Sequence, residues 1–153
     1  MVEVRDKAWI LLLASAIATI VAVLTPAAMG IFTSNPAYIW LWALNIRPNG
    51  DVWFNTDDIA LAGAVLETVV LAIAAMFLFL AASKVKKGHT QKGLFGIMFA
   101  CLLMLFASPV GYIIGAVAWD PWFWTDHAAG FGIIGPFIAA GLVIASYIIL
   151  KKK

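Results

Sequence analysis

Residues 59–83 read IALAGAVLETVVLAIAAMFLFLAAS, and in that run only Glu67 bears a formal charge. At about 1.5 Å of rise per residue, a helix of this length exceeds the ~30 Å hydrocarbon core of a bilayer. Backbone amides find no water in lipid, so the segment is expected to be a helix, and nothing in it alternates as a barrel strand does. Three further apolar stretches, 8–32, 94–119 and 130–150, have the same character. The expectation is an all-α membrane protein, four transmembrane helices in one domain covering 1–153, with outer loops 33–58 and 120–129 and inner loop 84–93.

The rest of the composition agrees. Hydrophobic residues make up 64% of the 153 and charged ones 12%, against about 25% charged in a water-soluble domain. A soluble enzyme, a disordered chain and a nucleic-acid-binding chain are excluded, and the lipid bilayer is the first partner. Arg5 and Lys7 before an apolar stretch also resemble a signal peptide, but the stretch is too long for an h-region and no small-x-small exit follows it. It is read as the first span. The single Cys101 can form no intrachain disulfide, CxxC pair or structural zinc site.

Lys and Arg choose the orientation. Arg5 and Lys7, then Lys84, Lys86, Lys87 and Lys92, then Lys151 to Lys153 fall on one side, leaving only Arg47 of the 10 basic residues on the other. The positive-inside rule makes the basic side cytoplasmic, so a multi-pass protein of the cell membrane with both termini inside is expected. The opposite face carries Asp51, Asp57, Asp58, Asp120 and Asp126. The short inner connector reads as a topology determinant touching lipid headgroups.

The first outer connector is too long for a simple turn and should have structure of its own. Ile39 to Ile46 and Val52 to Asn55 are rich in β-branched and aromatic residues, and Arg47-Pro48-Asn49-Gly50-Asp51 between them supplies a tight reversal. A β-hairpin on the outer membrane face follows, one that must pack on something to be stable. The second outer connector, with Trp119, Trp122, Phe123 and Trp124, offers a matching aromatic surface. These Trp residues fit an aromatic belt at headgroup level. Trp40, Trp42 and Trp53 on a strand rising from the membrane would instead favour protein contact. Asp57 and Asp58 before the second span, and Thr125 and Asp126 before the fourth, read first as helix N-caps. The sharper alternative is a cation site built from Asp120, Asp126 and His127, with Asp57 or Asp58.

Glu67 lies nine residues beyond Asp58, about 14 Å deep by helical rise, near the midplane. Ionisable residues at that depth face the bundle interior and mark functional sites. Its helical neighbours Ala60, Gly63, Ala64, Leu71 and Ala74 are mostly small, the pattern of a closely packed helix face. At similar depth stand Thr19 and Ser108, the latter beside Pro109, which frees a carbonyl one turn back. A protonated Glu67 clamping helices by hydrogen bonds and a proton or cation pathway are both open. No GxSxG, HExxH or P-loop occurs, and His89 and His127 fall on opposite sides. No catalytic activity and no cofactor are expected.

Trp40-Leu41-Trp42-Ala43-Leu44-Asn45 in a long first outer loop, followed by Gly130-Phe131-Gly132-Ile133 opening the last span, resembles the claudin and peripheral-myelin-protein superfamily. That family carries a Trp, a Gly-Leu-Trp and two cysteines on adjacent strands; Leu41-Trp42 is similar to its Leu-Trp pair, while Asn45 and a residue near Trp53 or Phe54 would occupy the cysteine positions, so the disulfide is missing. The resemblance implies a left-handed four-helix bundle capped outside by a small sheet, lateral self-association, and a role in adhesion, barrier or pore formation. It would make Trp40, Trp42, Arg47, Asp51 and Trp53 outward contacts. Trp122 and Trp124 join them as partner-binding candidates on the second loop.

Three functions therefore compete. The first is a non-enzymatic membrane protein whose aromatic, acidic outer face binds another copy or another membrane protein. The second is an ion or proton pathway using Glu67, and the third an accessory subunit of a larger membrane complex.

Overall fold

The structure, a computed structural model, describes residues 7–31, 36–55, 58–88 and 92–151, with the side chains at 58–60 and 92 excepted. The elements in chain order are α1 (Ala8–Leu24), β1 (Pro26–Gly30), β2 (Tyr38–Trp40), β3 (Leu44–Ile46), β4 (Val52–Phe54), α2 (Asp58–Lys86), α3 (Lys92–Trp119), the short α4 (Phe123–Asp126), β5 (His127–Ala129) and α5 (Phe131–Lys151). Most of the chain is helical. The helices α2, α3 and α5 are long and apolar enough to cross a membrane, and the chain is an integral membrane protein.

The helix α1 departs from the expected span at 8–32. It stops at Leu24 after 17 residues, and the apolar residues beyond it form strand β1. The cause is local. Pro26 cannot donate a helical hydrogen bond and forces the residue before it out of the α region, and Thr25 is extended at φ −111°, ψ 157°. The last four carbonyls of a helix lack intrahelical donors, and here side chains supply them. The Thr25 hydroxyl donates to Val21 O at 2.8 Å and also approaches Ala22 O, the Trp42 indole donates to Val23 O at 3.0 Å, and the Trp40 indole to Leu24 O at 3.0 Å. Trp40 and Trp42 thereby fasten the outer loop to the end of α1.

The four long helices pack in a ring, α1 on α2, α2 on α3, α3 on α5 and α5 back on α1. Small residues bring α1 close to α5. Ala8, Leu12, Ser15, Ala16, Thr19 and Ala22 form one buried stripe, the Ser15 hydroxyl donates to Ala139 O at 2.9 Å, and Ser146 donates to Ala8 O at 3.2 Å. Without a hydrophobic force between helices in lipid, such close backbone approach and interhelical hydrogen bonds carry the association. At the same end as Ala8, the Lys86 ammonium stands 4.8 Å over the Trp9 ring. Lys84, Lys86, Lys87 and Lys151 thus lie at the end of the ring opposite the strands.

The strands form one five-stranded antiparallel sheet in the order β4-β3-β2-β1-β5. A single hairpin is too simple a description. Its expected first strand breaks in two at Ala43, whose φ of 66° is costly for a residue with a Cβ, and β1 and β5 are recruited from segments flanking the helices. Ile39 pairs with Asn45, and Asn45 with Trp53. On the other flank, Met29 pairs with Tyr38 and with Ala128.

Thr125 and Asp126 lie in α4, ahead of β5, and therefore do not cap α5 as the sequence implied. That helix opens at Gly130, whose N–H donates to Ala27 O at 2.7 Å. A Cβ at Gly130 would collide with the Pro26 carbonyl, and one at Gly132 would stand 2.7 Å from Ala27 Cα. The Gly-Phe-Gly sequence lets β1 lie directly on the start of α5. Asp57 and the Asp58 side chain, assigned capping or site roles from sequence, lie outside the described residues, as does His89.

Candidate functional site

Two regions concentrate chemistry: the five-stranded sheet and a cavity beneath it. On the sheet, Trp40, Trp42 and Phe54 form an aromatic cluster with ring centres 6.5 and 6.1 Å apart, held to α1 by the indole hydrogen bonds. Arg47 stands 4.7 Å over the Trp53 ring and 3.9 Å from Asp51. That pair is solvent-exposed at the hairpin tip, where an ion pair contributes little. Asp51 is held locally, its carboxylate accepting from Asn49 Nδ2 at 2.8 Å. The strand β4 lies at the edge of the sheet with no further partner strand among the described residues, and Val52 and Phe54 are 59% and 54% exposed.

On the second loop, the two Trp candidates separate. Trp122 is 74% exposed. Trp124 turns inward, 4.9 Å from the Phe123 ring and 6.5 Å from Tyr112, with its indole N–H buried and unpartnered among the described residues. Asp120 accepts the Trp122 N–H at 2.9 Å, closing a local turn. His127 stacks on Phe123 at 4.2 Å and its Nδ1 donates to Phe123 O at 2.9 Å, which assigns the proton to Nδ1. Asp120, Asp126 and His127 do not converge, and no group of three or more His, Cys, Asp or Glu able to hold a metal ion occurs among the described residues.

The cavity, about 600 Å³, lies between α2, α3 and the sheet. It arises because α2 and α3 meet closely only in their inner halves, where Leu71, Ala74, Leu78, Cys101 and Leu105 are fully buried and the Cys101 thiol lies 3.8 Å from Ala74 O. Further out, Gly63 and Ala64 of α2 face Gly111 and Gly115 of α3 across open space. A Cβ at Gly63 or Gly115 would meet nothing within 4 Å, whereas one at Gly111 would stand 3.2 Å from Glu67 Oε1. The small residues around Glu67, expected to bring helices into contact, instead leave room beside it. Ile39 and Asn45 from the sheet, with Leu41 from the turn between β2 and β3, close the cavity above.

Glu67 lines this space, and its Oε2 is buried with no hydrogen-bond partner among the described residues. Neither companion expected from depth reaches it with a hydrogen bond. Thr19 donates to Ser15 O at 2.8 Å within its own helix, and the buried Ser108 hydroxyl has no partner among the described residues. Tyr112, Gly111 and Gly115 join Glu67 at the site although nothing singled them out in sequence, and Asn45, marked there only by the family resemblance, joins them. The signal available was a pair of spacings, Gly63-x-x-x-Glu67 and Gly111-x-x-x-Gly115, each marking one helix face.

Comparison of the chain with protein-family models, with curated proteins and with solved structures returns no match.

Proposed function

We propose that this chain is a non-enzymatic, four-span protein of the cell membrane, claudin-like in architecture, whose outward sheet pairs with a second copy through the edge strand β4. The observation that carries the reading is that edge. An unpaired strand presents a row of free N–H and C=O groups, and natural sheets protect such edges with charge, proline or bulges. The three residues of β4 are Val52, Trp53 and Phe54, all exposed and none charged or proline. Antiparallel pairing of two copies about Trp53 would bring Val52 of each against Phe54 of the other and cover the apolar row.

Other features support the architecture. With 17 residues, α1 is about 26 Å long, at the lower limit for crossing a bilayer, and it reaches from Lys86 at one end to the sheet at the other. Asn45, one position where the superfamily would carry a cysteine, pairs across the strands with Trp53, and the second position falls near Trp53 or Phe54 on that same strand. The lysine-bearing end opposite the sheet supports cytoplasmic termini. The pathway reading of Glu67 gains less, since the seam inward of it is filled by buried Leu71, Ala74 and Leu105.

The test is self-association in liposomes by energy transfer between labelled copies, native against the double variant Val52→Lys, Phe54→Lys. Loss of transfer with an unchanged circular dichroism spectrum is expected. Transfer equal to native would refute pairing through β4.

A further inference from the structure

The sheet-edge reading makes no use of the cavity at Glu67, and the cavity has the attributes of a binding site. Its ~600 Å³ lies within the range of small-molecule pockets. Among the described residues, its lining holds one acid, Glu67, and no Lys, Arg or His. Aromatic rings complete it, among them Tyr112, Trp119 and Trp40. A carboxylate with aromatic faces and no competing base is the chemistry that recognises an organic cation, by charge and by the negative faces of the rings. It does not suit an anion, and a hydrated metal ion would require several oxygens, which do not converge here among the described residues.

We propose that this cavity binds a lipophilic monovalent organic cation, an amine or onium group on an apolar body, with Glu67 as its counter-charge. A carboxyl group at membrane depth is costly without a partner, and Oε2 of Glu67 has none among the described residues. The apolar body is matched by Ile39, Leu41 and the glycine-lined walls. The cavity is open at its side, since the lining residues Gly63 on α2 and Gly115 and Trp119 on α3 are themselves exposed. The absent side chains at Gly63 and Gly115 keep the space open, and Gly111 leaves room for the carboxyl itself.

The experiment titrates tetraphenylphosphonium into the full chain in lipid nanodiscs, read by quenching of tryptophan fluorescence and by equilibrium dialysis. Tetraphenylborate, an anion of the same shape, is the control. Saturable binding of the cation is expected, tighter than that of the anion by about tenfold or more. Glu67→Gln, which keeps size and hydrogen-bonding capacity, should lower cation affinity by about tenfold or more. Gly115→Leu should abolish binding by occupying the cavity, with thermal unfolding close to native since nothing lies within 4 Å of that Cβ. Equal binding of cation and anion, or native affinity in Glu67→Gln, would overturn the proposal. Neither depends on β4, so self-association can fail or persist independently.

Discussion

A disulfide engineered across β3 and β4 would test the sheet register at one position. The backbone hydrogen bonds Arg47 N to Asp51 O and Asn55 N to Ala43 O, both 2.9 Å, bracket the Asn45–Trp53 pair. That pair therefore occupies a hydrogen-bonded site, where the Cα atoms lie about 5.5 Å apart, inside the disulfide range. In Asn45→Cys, Trp53→Cys the closed loop would contain about nine residues, and loss of chain entropy in the unfolded state corresponds to about 2.6 kcal/mol. Against this stand the hydrogen bond from Asn45 Nδ2 to Ala43 O and the Arg47 contact with Trp53, each about 1 kcal/mol. The oxidised variant should thus be slightly more stable than native, and more stable than its own reduced form by nearly the full 2.6 kcal/mol. Mild oxidation followed by thiol titration should leave only Cys101 reactive after unfolding, and unfolding by a denaturing detergent, oxidised against reduced, reads the difference. Asn45→Cys, Phe54→Cys, one residue out of register, should not close. If the 45–54 pair closes faster than 45–53, the register and the reasoning built on it are wrong.

Removing the indole donors by Trp42→Phe should release Val23 O and loosen the sheet from α1, at about 1 kcal/mol, seen as faster hydrogen exchange in β1 and β2; Trp40→Phe should do the same at Leu24 O. Gly132→Ala places a Cβ 2.7 Å from the Ala27 backbone and should cost about 1–3 kcal/mol in thermal unfolding. Gly141→Ala, with nothing within 4 Å of its Cβ, should be neutral or stabilising by up to about 1 kcal/mol. Ala43→Gly relieves a left-handed alanine and should raise stability by up to about 1 kcal/mol.

The long helices could be read directly, because runs such as 59–83 admit no other structure in lipid. The end of α1 could not, because Pro26-Ala27-Ala28-Met29-Gly30 continues the apolar run and short apolar strands and helices are indistinguishable by periodicity. Pro26 was the local sign. The sheet was legible only as far as its hairpin turn at Asn49-Gly50; β1 and β5 are defined by pairing with each other, a long-range fact with no local pattern. The family resemblance marked Trp40 and Trp42 as outward contacts, and the structure adds a second use, their indole N–H groups serving carbonyls of α1. Sequence depth singled out Glu67, but its surroundings depend on how far α2 and α3 separate, which the glycines permit without announcing.

The proposed orientation sets the sheet and the lysine-bearing end of the ring on opposite sides of a membrane. Single cysteines at Asn49 and Lys87, in cells or sealed vesicles, can be challenged with a membrane-impermeant maleimide, since the native Cys101 is fully buried. The account predicts labelling of Asn49→Cys in intact cells and of Lys87→Cys only after permeabilisation. Labelling of both from the same side would contradict it.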